Sequence, residues 1–439
     1  MQGRFNSFQR SMLQWNELHA YNAIHVIRMG GPLDLERLRT TIDSCLESLG
    51  LTNLRLNRNE SAFTYEGGPA RSEIKIVSPG NDTHQTLSIE IAQQINTRFP
   101  KVARFNPFRF FVMPEANAFS LGIVYFHPVA DAESIVHLLE RMVDNYLKQA
   151  AVPTVDPVDL YPAQFDKFLL RSPWLLARKL VDLPSLARII RRSCRLQYLE
   201  ISDFSNGFVL FSFPPDSLQV LTATSKAWEV TVNDLLLALL LKSLSGMVPE
   251  RTGATRRKRI SVGSVVNVRK DLGLDTRRTF GLFLGSFVVS HEVPDGISVE
   301  NLAQAVRQQT RRIKNERLYL TSAAEMRLSR IIASGSSTHR RNKFYPKYYP
   351  LWGGITNMNL NSLWDDTGLE KPPGYFRAVS TGPATPIVLS VTTVGDQIHV
   401  GVTYRSTVFT LSQVQHIKSE LLGALGQLIR NPSDRNPEQ

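Results

Sequence analysis

His127 and Asp131 stand four residues apart in SLGIVYFHPVADAESIVHLLERMVDNYL, residues 120–147, and both side chains can do chemistry. An imidazole changes charge near neutral pH, so a fixed histidine suits the role of general base. The elements that must position the pair are legible around them. Residues 121–126 form a short, nearly unbroken apolar run, the pattern of a buried strand. Ile135, Leu138, Leu139, Met142, Val143 and Tyr146 recur at helical spacing, and Asp131 can cap that helix. The imidazole would then sit at the end of a buried strand, at a sheet edge, on a tight turn. Plainer readings exist for both residues. Asp131 can be only an N-cap, and His127 can be a hydrogen-bonded interior histidine.

A chain of 439 residues is long enough for two domains with sizeable cores, and 42% hydrophobic with 21% charged residues is an ordinary globular balance. The start, MQGRFNSFQRSMLQW, lacks the apolar core of a signal peptide. The most apolar run, 235–241, meets Lys242 too soon to span a bilayer. Cys45 and Cys194 give neither a disulfide framework nor metal-ligand spacing, so no metal site is expected and the cytoplasm is the expected compartment. A net charge of +12 calls for an acidic partner: an anionic membrane, the phosphates of coenzyme A, or an acidic carrier protein. No nucleic-acid-binding motif accompanies the charge, which puts nucleic acid last.

Half of that excess lies in residues 165–196, where eight Lys and Arg face only Asp166 and Asp182, a net of +6. Apolar residues interleave with them, and such a helix can lie on an anionic membrane or pack its apolar face on the protein with its basic face in water. If the segment docks on an anionic surface, the basic residues should project together, away from a face carrying Trp174, Leu176 and Ile190.

Along the rest of the chain, residues 22–29 read as a strand in which His25 is a packed or surface residue. Asp34 caps a helix with Leu35, Leu38, Ile42, Cys45 and Leu49 on its inner face. Prolines 153, 157 and 162 suit a linker. Residues 208–213 read as a strand, and VTVNDLLLALLLKSLSG as a buried helix capped by Thr231 or Asn233. Residues 259–267 read as a central strand, and 387–393 with 397–404 as a hairpin.

His127 and Asp131 in this strand–turn–helix setting resemble the HxxxD signature of the chloramphenicol-acetyltransferase-like superfamily, which includes peptide-synthetase condensation domains. Three further matches follow in order: Thr231, Asn233, Asp234 and Ala238 in a T-x-N-D-x-L-x-A helix, Arg269 with Gly281 and Gly285 after the central strand, and Asn357 in WGGITNMNLNSL. The resemblance implies mixed α/β sheets in two chloramphenicol-acetyltransferase-like subdomains, a V-shaped pseudo-dimer with a tunnel at the junction. Its boundaries fall at 1–152 and 206–431, with a basic linker at 153–205 and a disordered tail at 432–439.

The resemblance further implies an acyltransferase with His127 as general base, Asp131 orienting it, Arg269 pairing with Asp131, and Asn357 positioning substrate. The donor would be acyl-CoA or a thioester on an acidic acyl or peptidyl carrier protein, with no permanently bound cofactor. A monomer is expected, with peripheral contact to an anionic membrane through 165–196 as a further possibility. The rival is a non-catalytic condensation-like module that binds an acyl carrier protein or a lipid. Two positions depart from the family pattern. Phe126 stands where the two-histidine form of the motif has its first histidine. Ala132 replaces the usual glycine, and its methyl would narrow the space at the base or disfavour a φ > 0 turn.

Overall fold

The computed structural model describes residues 1–100, 103–148, 158–160, 173–248, 256–334, 344–364 and 369–430. The chain forms two compact units from interleaved segments. The first takes residues 1–168, 267–284 and 359–380; the second takes 169–266, 285–358 and 381–439.

The first unit is built on a five-stranded sheet in the order Gly374–Val379, Asn22–Gly30, Ala118–Phe126, Phe108–Pro114, Ile74–Ile76. Its central strand, Ala118–Phe126, is buried from Phe119 onwards, which is why it reads as a continuous apolar run. His25 on the neighbouring strand is packed, not surface, with its Nδ1 2.6 Å from the Tyr375 hydroxyl. Helix Ala132–Lys148 buries Ile135, Leu138, Leu139, Met142, Val143 and Tyr146, the stripe that its spacing predicts. Helix Leu35–Ser48 is capped by Asp34 and buries Leu38, Ile42 and Cys45. The strand Gly374–Val379 falls inside the sequence-based C-terminal subdomain but pairs with Asn22–Gly30, Arg377 opposite His25. Nothing local in GYFRAV names a partner some 350 residues away.

The second unit is built on a six-stranded sheet in the order Leu284–His291, Ile260–Asn267, Gly353–Asn359, Ile387–Val394, Gln397–Arg405, Asn206–Ser212. The hairpin turns at Gly395, whose φ of +59° suits a glycine. Helix Val232–Ser245 buries every residue from Asp234 to Leu241. Thr231 is its N-cap, in a capping box with Asp234, and the Asp234 carboxylate also accepts from the Thr310 hydroxyl at 2.6 Å.

Helix Pro173–Arg192 corrects one expectation. Leu175 is its buried anchor, whereas Trp174 is 53% exposed with the Arg178 guanidinium 3.8 Å above its ring. Adjacent positions on a helix diverge by about a quarter turn, so the two cannot share one buried face. The proline-spaced linker at 153–157, residues 165–172, the Leu176 side chain and the tail at 432–439 lie outside the described residues. Among the described residues no helix is long and apolar enough to cross a membrane, and no group of three or more His, Cys, Asp or Glu could hold a metal.

Candidate active site

Strand Ala118–Phe126 runs directly into a 3₁₀ turn, His127–Val129, with Pro128 inside it. The turn is held at both ends by backbone. His127 N–H donates to Tyr21 C=O at 3.3 Å, and Ala130 N–H donates to His127 C=O at 3.3 Å. The Tyr21 ring stacks on the imidazole at 5.6 Å and 18°, and the Tyr125 ring meets it edge-on at 5.7 Å. Phe126, in place of a first histidine, packs its ring against Phe99 and Phe105.

The imidazole is oriented by one bond. Nδ1 lies 3.0 Å from the Ala130 carbonyl, which can only accept, so Nδ1 carries the proton and Nε2 carries the lone pair. Burial pushes the His127 pKa down to about 4, and the Ala130 bond and the Asp131 charge offset only part of that. The ring is therefore neutral at physiological pH. No described residue bonds Nε2, and the side chain keeps 7% exposure. That is the state a general base needs.

Asp131 and Arg269 are both 1% exposed and form a bidentate pair at 2.7 and 2.8 Å. The same carboxylate accepts from Ser134 N–H at 3.0 Å, the N-cap bond of helix Ala132–Lys148, and from Phe283 N–H at 2.9 Å. Capping and ion pairing thus coexist in one side chain. Burial alone would raise the Asp131 pKa, but the Arg269 charge and these four bonds outweigh it and hold the carboxyl below its ordinary value. Arg269 also lies over the Phe283 ring at 4.3 Å.

Ala132 opens the helix with no positive φ, so the expected backbone penalty of replacing glycine does not arise. Gly281 donates its N–H to Ser134 Oγ and accepts from both Ser134 Oγ and Asp131 N–H. Gly285 is needed for close approach: a Cβ there would stand 2.7 Å from the Tyr319 carbonyl oxygen.

Three residues that bond to this region carry no mark in the motif. Ser134 Oγ joins Arg269, at 2.7 Å, to the Gly281 backbone. Gln9, fully buried, donates to the Pro128 carbonyl at 2.7 Å, and Asn6 donates to the Leu282 carbonyl at 3.1 Å. Asn6 and Gln9 also form the capping box of helix Ser7–Leu18. An Asn-x-x-Gln pattern ahead of an apolar run is a readable capping signal; its reach to the His127 turn is not. Asn357 lies on strand Gly353–Asn359 of the second unit, with an exposed side chain.

No protein-family model and no curated protein matches this chain. Its likeness is to solved structures. The condensation domain of the monacolin K polyketide synthase MokA covers 98% of each chain with a TM-score of 0.69 at 11% identity. The first condensation domain of the calcium-dependent antibiotic synthetase, in complex with a substrate analogue, covers 98% of each chain with a TM-score of 0.69 at 14% identity. The SgcC5 protein from Streptomyces globisporus covers 98% of this chain and 99% of that one with a TM-score of 0.63 at 12% identity. The chain has the condensation-domain fold over nearly its whole length. An epimerization domain of a tyrocidine synthetase and the X-domain from teicoplanin biosynthesis share that fold, so the fold does not name the reaction.

Proposed function

We propose that the chain is a condensation-type acyltransferase, moving an acyl group from a thioester to an amine or alcohol with His127 as general base. The observation that carries this reading is the His127 ring: neutral, Nδ1 committed to a carbonyl, Nε2 unbonded by any described residue, on a turn locked by a buried bidentate pair. Nε2 takes the acceptor's proton while the acceptor's nitrogen or oxygen bonds to the thioester carbon. The tetrahedral intermediate then expels the thiolate, which recovers that proton from the imidazolium, so the C–S bond breaks and an amide or ester forms. Asp131 and Arg269 touch no substrate and serve as positioning residues. Both cysteines are buried, and burial pushes the Cys45 thiol pKa up, which disfavours a thioester intermediate on the enzyme. The donor thioester sits on coenzyme A or a phosphopantetheinyl carrier protein. Asn357 holds a polar group of the substrate.

The test is incubation with matched acyl-CoA and acyl-carrier thioesters, each offered amines and alcohols, with product read by intact mass. The parent is expected to form product and His127→Ala to lose about 10²- to 10⁴-fold of the rate. A His127→Ala variant with parental turnover overturns the assignment. Carrier binding with no product across the panel overturns it in favour of a non-catalytic module.

A further inference from the structure

Far along the second unit, two basic segments are pinned side by side. Helix Pro173–Arg192 ends in Arg188, Arg191 and Arg192, and the start of the strand region brings Arg256 and Lys258 next to them. Backbone bonds fix this juxtaposition. Lys258 N–H and Arg259 N–H both donate to Arg192 C=O at 3.0 Å, and Cys194 N–H donates to Arg259 C=O at 2.8 Å. The Trp352 indole N–H then donates to Cys194 C=O at 3.1 Å. Beside these bonds lies a half-open cleft of about 710 Å³ lined by those five cations, Glu292, Pro184 and Ala187.

Charge in this cleft is not balanced from within. Among the described residues no carboxylate lies within ion-pair distance of Arg188, Arg191, Arg192, Arg256 or Lys258, and Glu292 faces Arg259 instead, at 3.9 Å. Burial lowers the pKa of Arg259; the Glu292 charge offsets part of that, and the neighbouring charge of Arg192 lowers it again. Arg195 is lowered in the same way by burial and then by Arg257. A helix C-terminus accounts for arginines in its own last turn. It does not account for Arg256 and Lys258, which arrive from another segment.

We infer that this cleft binds a soluble small molecule carrying two or more phosphate groups. Guanidinium groups present planar forks of donors that match phosphate oxygens, and several of them converging from two walls suit a multiply charged anion. The volume lies in the range of ligand pockets, and a concave site of this size fits a nucleotide-sized ligand better than a flat bilayer or the convex face of a protein helix. Bound phosphate would also relieve the repulsion among the five cations, so binding stabilises the folded chain. The inference does not rest on the acyl-transfer reading: none of these residues belongs to the His127 site, although coenzyme A, one proposed donor, falls within the ligand class.

The test is calorimetric titration of the full chain with inorganic pyrophosphate and tripolyphosphate, with sulfate as control. One saturable site is expected, tighter for tripolyphosphate, with a rise in Tm. The doubly substituted Arg191→Gln/Arg256→Gln chain is expected to bind pyrophosphate roughly tenfold or more weakly, since each lost bond is charge-assisted. Arg188→Gln with Lys258→Gln provides a second pair should the first fail to fold. Absence of saturable binding, or equal binding by the substituted chains, overturns the proposal. So does capture by vesicles containing phosphatidylinositol bisphosphate that pyrophosphate does not compete away, which would assign the cleft to a lipid surface. Binding of a polyglutamate peptide that pyrophosphate fails to displace would assign it to an acidic protein and overturns the proposal as well.

Discussion

At the scale of single residues, the imidazole proposed as the base is prepared by what surrounds it. Burial favours the uncharged imidazole, and one carbonyl selects its tautomer. The consequence for activity has a definite sign. In the proposed function the neutral ring is the active form, so acidification would inactivate only as pH falls through the lowered pKa. The acid limb of kcat/KM is expected near pH 4, well below the 6.5 of an exposed histidine. A pH–rate profile measured with a non-titrating donor and acceptor checks this, and a limb near 6.5 contradicts the buried-base account.

At the scale of elements, the His127 turn is a junction whose parts are supplied by distant segments. The strand ending at Phe126 delivers His127, the helix starting at Ala132 takes its cap from Asp131, and the segment 267–284 delivers Arg269, Gly281 and Phe283. Removing one charge leaves the other buried and unpaired. Arg269→Ala is therefore expected to cost on the order of 3–5 kcal/mol. Denaturant titration measures that loss, and activity should fall with it. Reciprocal Ala132→Gly tests whether the departure from glycine matters. Because Ala132 already has ordinary helical backbone, the glycine variant should gain no activity and lose up to about 1 kcal/mol of stability. A marked gain in rate would show that the methyl obstructs the site.

At the scale of the whole molecule, the buried site couples stability to pH. His127 and His25 both have pKa values lowered by burial, His25 well below its ordinary value. Between the unfolded value near 6.5 and the folded values, the unfolded chain binds more protons, so stability falls as pH drops through that window. Asp131 contributes in the same direction further down: its carboxyl is held low when folded, so its stabilisation is present above about pH 4 and lost as pH falls through the folded pKa. Tm is expected to decline from pH 6.5 downwards and to go on declining below about 4, where the His127 contribution levels off and that of Asp131 sets in. His127→Gln, which removes one of these groups, should flatten the upper part of that decline; an unchanged slope would exclude His127 from it.

The sequence by itself determined the local parts. Periodicity marked the buried strand and the helix after it, and an Asp and a Thr at the right offsets marked caps; the partnership of Asp131 with Arg269 was implied only by the family resemblance, and the fold closes it. These are readable because side-chain period and cap chemistry are set by neighbours in the chain. Tertiary structure decided the rest. Strand Gly374–Val379 joins the first sheet, and Gln9 and Asn6 reach from the N-terminal helix to the carbonyls of Pro128 and Leu282. Trp174 stays exposed while Leu175 is buried. In each case the residue's role depends on which backbone lies against it, and a contact across hundreds of residues leaves no local period to read.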